Sequence, residues 1–549
     1  MSHVLLSNLR NLDVARAIGP LPQDLGPDVL HEWFGAGVSF LSSSERLTAR
    51  YWQAVRELFS CITPHAGNGG ALLNEGGIYH GCWLESTGTI NAEILSRFLP
   101  SVSTSTFSAF AAHQRDDGLL PYKITAQGAA FNQIQLVSPL ARSAFNHYRL
   151  NGTAGTWLAQ MYQAMARYDG WISTYRNTQG TGAVEAFSTF DTGHDLSPRF
   201  WHAPDSPFKN DPSRLDPDNP LLPYIAPDLT ANIACQRQYL GLIAAELGQD
   251  GGPWQQKCDA SLKALFAQCY DADDGNFYDR DRHGRLVRVQ SDVLLRVLAC
   301  EVGDGAQFAA ALDRYLLNTG KFFAKFPLTS IALDDPRFDP NVSRNSWAGP
   351  TNFLTLIRAP HAFEHHGRHV ELSWIMQPIL AALFAMDRFP QTLDPFTGEP
   401  GFTEAYSPSI LCLLDFIERM SGILPRPDGT VWFTSLLPKP VHHRHETWET
   451  GYARTIDGSR FELINSSEGG EIHRDGHLLS RFPAGVRITL DRRGGLRAAT
   501  GLTSRNVTAE ILHDGQRHAI ALEPNSTITW DDDEMSSSRG PGLVLPRHG

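Results

Sequence analysis

Between about residues 25 and 425, apolar side chains recur at intervals of three and four, as in SERLTARYWQAVRELFS at 44–60 and TWLAQMYQAMARYDGWIS at 156–173. That period predicts amphipathic helices. The same pattern marks 229–247, 254–269, 290–301, 352–366, 370–387 and 408–422. From about residue 428 the pattern shortens to alternating runs such as TVWFTSL, SRFELINS and VRITLDRR, separated by DG, RGG and PN turn signals. A period of two with such turns predicts an antiparallel β module.

The chain is therefore expected to contain a lead-in segment (1–60), a helical domain (61–426), a β module (427–530) and a mobile tail (531–549). Between the helices lie long connections rich in Gly, Pro and Asp, at 62–82, 176–228, 271–289 and 325–351. Connections of that length inside a compact domain are uncommon unless they carry function.

Composition narrows the function. At 549 residues, with 42% hydrophobic and 19% charged residues, the chain buries a sizeable core and has ordinary globular usage. A formal charge of -12 disfavours nucleic acid or an anionic membrane surface as partner, because both reward clustered Lys and Arg. A carbohydrate or other neutral polar ligand fits better, and the chain could be monomeric or a homo-oligomer. Seven scattered cysteines without a CxxC pair indicate reduced, buried thiols. The N-terminus lacks the apolar run of a secretory signal, so a cytoplasmic protein is expected.

No dinucleotide fingerprint, P-loop, nucleophile elbow, HExxH or EF-hand loop occurs. What stands out is a series of loops carrying carboxylates among aromatics and amides: WLEST (83–87), HQRDDGLLPY (113–122), FDTGHDLSPRFW (190–201), YDADDGNFYD (270–279), NSWAGPTNF (345–353) and GFTEAYSPS (401–409). Such mixtures suit sugars, which offer an apolar face for stacking and a rim of hydroxyls. Glycoside hydrolysis needs two carboxyls, one protonated to release the leaving oxygen and one ionised. No metal or organic cofactor is required.

GHDLSPRFW resembles the G-x-D-x-S-x-R-[WF] signature of the inverting α-glycosidases with an (α/α)6 barrel, namely trehalases, family 63 α-glucosidases and mannosylglycerate hydrolases. HQRDDGLLPY, YDADDGNFYD, SWAGPTN and FTEAYSPS resemble further motifs of these families, in the same order, over roughly residues 60–420. The resemblance implies a mainly α fold, an (α/α)6 toroid followed by the antiparallel β module. It also implies Asp195 as general acid and Glu404 as general base. Trp83, Glu85, Gln114, Asp191, His194, Arg199, Trp347 and Tyr406 become the expected substrate contacts.

The chain departs from the families' pattern at three places. Asp191-Thr192-Gly193 stands for Glu-Ser-Gly, Trp347-Ala348-Gly349-Pro350 for Trp-Arg-Gly-Pro, and Trp83-Leu84-Glu85 for Trp-x-x-Asp, which implies a remodelled sugar pocket. Each residue also has a plainer role: Asp195 as a helix cap, Glu404 as a solvated acid, the aromatics as core. A sugar epimerase or polysaccharide lyase on the same toroid would instead rely on His194 and Tyr406 as acid and base. A non-catalytic carbohydrate-binding protein would keep the aromatics alone. The histidine runs HHGRH (365–369) and HHRHE (442–446) lack the spacing of a helical zinc site and read as solvated or interface polar runs.

Overall fold

The computed structural model describes residues 3–21, 25–64, 70–439, 447–531 and 534–549. The helices form an (α/α)6 toroid. Its inner ring runs through Asn91–Leu95, Leu140–Asn151, Pro227–Glu246, Val293–Leu298, the Phe353–Leu356 and Ala359–His365 pair, and Ser407–Ser421, which packs back on Asn91–Leu95 to close the ring. The outer ring comprises Pro100–Ala112, Gly155–Tyr175, Gly252–Cys269, Gly305–Ala311, His369–Ala385 and Glu45–Ser60.

The two rings differ as their sequences dictate. Ser407–Ser421 is covered on every side, and nearly all its residues are buried. Outer helix Gly252–Cys269 buries one stripe only: Cys258, Ser261, Ala264, Leu265 and Cys269. Pro at the first turn of Pro100–Ala112, Pro227–Glu246 and Ser407–Ser421 fixes where these helices begin, since its missing N–H costs nothing there.

The β module is two antiparallel sheets. One has the order Ser39–Ser42, Glu449–Ile456, Ser459–Ser466, Gly469–Arg474, His477–Pro483, Val507–His513, Gln516–Leu522. The other has the order Ile423–Pro425, Thr430–Thr434, Val486–Asp491, Leu496–Gly501, Thr527–Asp531, Glu534–Ser538. Their inward residues, among them Phe433, Phe461, Leu463 and Ile488, share one continuous core with the toroid.

Three boundaries differ from those read in the pattern. Helix Glu45–Ser60 is not lead-in but part of the toroid, packed along Ser407–Ser421. Ser39–Ser42 supplies an edge strand to the distant β module, in register Phe40↔Tyr452. The terminal stretch is not free: Glu534–Ser538 pairs with Thr527–Asp531, and beyond it Val544 N–H donates to Glu371 Oε1 at 3.0 Å while Arg547 N–H donates to the Leu317 carbonyl at 2.9 Å. A strand needs only about five residues and a partner, so aperiodic sequence does not exclude it.

All seven cysteines are buried and unpaired. In the 365–369 run, His366 stacks on Phe308 at 4.3 Å and His369 meets the edge of Trp432 of the β module, an interface role. The 442–446 run lies outside the described residues. Among the described residues no His, Cys, Asp and Glu group is arranged to hold a metal, and no helix is long and apolar enough to cross a membrane.

Candidate active site

Loops at 74–85, 190–199, 345–352 and 391–406 gather beside the starts of the inner helices. Asp195 sits between two 3-10 turns, Thr189–Asp191 and Pro198–Phe200, the second capped by Ser197. Its backbone carbonyl accepts from Trp347 N–H at 3.0 Å, and its carboxyl Oδ2 accepts from Asn345 Nδ2 at 2.5 Å. Burial pushes its pKa up to about 8, helped by the charges of Glu85, Asp205 and Glu75 and opposed by the Asn345 hydrogen bond. The shift favours the protonated form of Asp195.

Gly193 makes the close approach to Glu85 that brings this loop in. Its φ is +68°, and a Cβ there would stand 2.2 Å from Glu85 Oε2. Glu85 is buried between Arg296 and Arg358 at 3.6 and 3.7 Å, and its Oε1 has no hydrogen-bond partner in the protein, so it is poised to accept a ligand hydroxyl. Burial raises its pKa while the two arginines hold it down.

A second cluster forms around Glu75, Tyr79 and Tyr406. Tyr406 is fully buried and its hydroxyl donates to Glu75 Oε1 at 2.6 Å. Tyr79 donates to Gln391 Oε1 at 2.8 Å, and its ring packs between Trp83 at 5.7 Å and Tyr406 at 5.8 Å. Glu75 is pushed up to about 7 by burial; Tyr406 works against that shift and the charge of Glu85 adds to it. The Tyr79 phenol is raised by burial and by the charges of Glu75, Asp195 and Glu85.

The expected site residues separate into two groups. Trp347 is tied to Asp195 through the backbone, Glu85 lies against Gly193 of the Asp195 loop, Tyr406 is bonded to Glu75, and Trp83 stands partly exposed beside Tyr79 with Lys123 Nζ 4.8 Å from its ring. Trp347 is almost fully buried, packed between the His194 ring at 4.7 Å and the Arg296 guanidinium at 4.7 Å, so it is a floor rather than an open platform.

The others are held by internal partners. Asp191 is bound by Arg176 and by three backbone N–H groups. Arg199 is forked between Asp228 and Asp279. His194 is wedged between Arg199, which contacts its Nδ1, and Asp292, 3.2 Å from its Nε2; burial lowers its pKa to about 3, which removes it as a neutral-pH acid. Gln114 donates to the carbonyls of Gly118 and Ala164, between two outer helices. Charged side chains in a buried loop must find partners, and here they found one another.

Glu404 is exposed, flanked by positive φ at Thr403 and Ala405, and lines a groove of 1220 Å³ together with Tyr79, His80 and Arg388. Its charge acts on Glu57 of the outer ring, whereas the carboxylates acting most strongly on Asp195 are Glu85, Asp205 and Glu75.

Sequence reasoning passed over Glu75, Tyr79, Asn345 and Gln391. One signal was available in Asn74-Glu75-Gly76-Gly77: an acid followed by two glycines announces a tight backbone approach. Both glycines have positive φ, and Cβ atoms there would lie 2.2 Å from the Ala405 carbonyl and 2.1 Å from Thr403 Oγ1.

Comparisons agree with this architecture. The mannosylglycerate hydrolase of Thermus thermophilus, a family 63 glycoside hydrolase solved with Tris, superposes with a TM-score of 0.56 at 17% identity, over 66% of this chain and 98% of that one. A family 78 rhamnosidase of Bacillus sp. GL1 gives 0.53 at 12% identity over 78% and 40%, and the neutral trehalase of Saccharomyces cerevisiae 0.50 at 12% over 66% and 76%. At such identities the likeness is one of fold. No curated protein sequence matches. The family model of the mannosylglycerate hydrolase MGH1-like glycoside hydrolase domain matches residues 95–409, more than half of the chain and most of the toroid. The protein belongs to this MGH1-like glycoside hydrolase family, and is a glycosidase that acts on carbohydrate.

Proposed function

We propose that the enzyme hydrolyses an α-linked glycoside or short oligosaccharide with inversion, using Asp195 as the proton donor. The observation that carries this reading is the Asp195 carboxyl itself, kept protonated near neutrality by burial among acids and oriented by Asn345. A general acid must hold its proton until the glycosidic oxygen departs, and a pKa above the working pH does that. Glu85, held between two arginines and lacking a partner for one oxygen, is suited to grip a sugar hydroxyl. Trp83 is suited to stack on the ring face.

Inversion requires a second carboxyl opposite the acid, about 6.5–9.5 Å away so that a water fits between. The related fold of a mannosylglycerate hydrolase and a trehalase makes short glycosides the first panel to assay. Proton NMR of the first-formed product tests the reading. Appearance of the β-anomer from an α-substrate supports it; initial release of the α-anomer would indicate retention and overturn it.

A further inference from the structure

The toroid carries a second cavity at the end away from Asp195. The loops around Asp195 lead into the starts of the inner helices, whereas this cavity, of 410 Å³, is lined from their far ends by Arg97, His365 and Arg419 and roofed by Arg426 and Trp432 of the β module. Arginines outnumber carboxylates at this wall. Arg97 pairs with Asp415 at 2.6 Å and Glu418 at 3.0 Å, and Arg454 with Glu418 at 2.7 Å. Arg419 holds Asp415 at 2.7 Å together with Glu364, and Arg426 Nη1 lies 3.1 Å from Glu364. Arg487 is 6% exposed, and among the described residues no carboxylate lies within ion-pair distance of it; its guanidinium stacks 3.5 Å over Trp432 and donates to His369 Nε2 at 3.2 Å. Five arginines thus share three carboxylates. Because an arginine can only donate, His369 Nε2 accepts and its proton sits on Nδ1. That Nδ1 and Arg426 Nε, both on residues that line the cavity, are buried without a hydrogen-bond partner, as is Arg487 Nε behind them. The other acids of the lining are engaged elsewhere: Glu93 by Ser143, Asn146 and His361, Glu301 by Tyr239 and Arg142, and Asp428 by Thr430.

We infer that this rear cavity is a binding site for a small phosphate monoester, separate from the site of glycoside cleavage. The excess of two positive charges selects the class. A carboxylate ligand would leave one cation uncompensated, whereas a phosphate monoester carries about −1.5 to −2 at neutral pH, and arginine forks match its oxygens. Unpaired buried donors such as His369 Nδ1 and Arg426 Nε call for acceptors, which a phosphate supplies. The cavity lies within the roughly 300–1,000 Å³ of small-molecule sites, so there is room for the organic part of an ester as well as its phosphate. Burial lowers the Arg487 pKa to about 9, with Arg426 and Arg419 adding to the shift and Glu364 opposing it, so this side chain is still a cation at neutrality. A buried cation without a counter-charge costs stability, and a bound dianion offsets that cost. The ligand would also clip the toroid, through His369 and Arg419, to the β module, through Arg426 and Trp432.

The test is isothermal titration of the full chain with glucose 6-phosphate, inorganic phosphate and glucose, at about 0.15 M chloride so that loose surface attraction is screened. One phosphate-dependent site per chain is expected, and the protein should melt higher as the ester is added. Arg426→Gln should weaken ester binding by about 10–100-fold, the worth of a charge-assisted hydrogen bond, while Asp195→Asn should leave it unchanged. If Arg426→Gln does not fold, Arg487→Met serves instead, since it removes a cation without orphaning a carboxylate, and the same loss is expected. Tighter binding of glucose 6-phosphate than of inorganic phosphate supports the ester; equal affinity would overturn it in favour of the free ion. The site itself is overturned if neither phosphate binds, if the folded Arg426 or Arg487 variant keeps wild-type affinity, or if glucose competes for the same site as tightly as its phosphate. Loss of ester binding in Asp195→Asn would place the ligand at the glycoside site and likewise overturn it.

Discussion

Arg176 and Asp191 form a two-point ion pair, Nη1–Oδ2 at 2.6 Å and Nη2–Oδ1 at 3.2 Å, with neither side chain exposed. The same carboxylate accepts from the backbone N–H groups of Phe187, Ser188 and Ile134. Five hydrogen bonds on one carboxylate make it the anchor of the loop that presents Asp195. Asp191→Ala strands a buried guanidinium and should cost about 3–5 kcal/mol in urea unfolding. If the unfolding midpoint barely moves, the anchor role is wrong.

Asp195 should behave oppositely. Its folded pKa, about 8, lies above the ordinary aspartate value of about 3.9. The folded state therefore holds a proton that the unfolded state has released. Its contribution to stability is fully present below pH ~4 and is lost as pH rises towards 8. Asp195→Asn, which keeps the shape without the ionisation, should match wild-type stability in acid and exceed it at pH 8 in thermal melts. The same group should set the alkaline limb of kcat/KM near pH 8. Asn345→Ala, which removes the hydrogen bond favouring the ionised form, should move that limb upward.

Trp83 lies within ring contact of Tyr79 and is half-exposed, as a stacking surface must be. Trp83→Ala should raise KM by roughly two- to tenfold, corresponding to ~0.5–1.5 kcal/mol of stacking, with kcat nearly kept. A fall in kcat at constant KM would assign the residue to positioning instead.

At the other end of the chain order, Phe40 tests whether the N-terminal strand holds the two parts together. It is fully buried, 4.5 Å from Tyr51 of the outer ring and 6.4 Å from Tyr452 of the β module, and its carbonyl accepts from Trp52 Nε1. Phe40→Ala should destabilise by about 3–5 kcal/mol, with KM unchanged because the site lies elsewhere. Unaltered stability would mean the strand is a passive edge.

Much of this was legible in the chain because it is local. Helix periods and turn signals marked the helical and β regions, the resemblance of the ordered loop motifs implied the toroid, and Asp195 stood in the most specific of those motifs. What escaped depends on distant partners. Glu75 acquires its meaning from Tyr406, 331 residues away. Glu404 stands exposed between positive φ at Thr403 and Ala405, a backbone feature that no spacing rule reports. Asp191, His194 and Arg199 looked like sugar contacts because they crowd one loop, yet buried charges satisfy each other first. The short stretch Ser39–Ser42 becomes a strand only because Glu449–Ile456 arrives beside it.

Gly193 ties the Asp195 loop to the segment that carries Glu85, because Glu85 fills the space where its Cβ would be. Gly193→Ala would add a strained positive φ and would drive the Glu85 carboxylate away from its place between Arg296 and Arg358. A displacement of about 1 Å at a positioned group can cost ~10²-fold in rate, so kcat should fall by about that factor. Glu85→Ala added to this variant relieves the clash, and the double variant should recover stability in thermal melts without recovering rate. Recovery of both would mean that Glu85 only obstructs the glycine and takes no part in holding the sugar; recovery of neither would locate the strain in the backbone of the Asp195 loop itself.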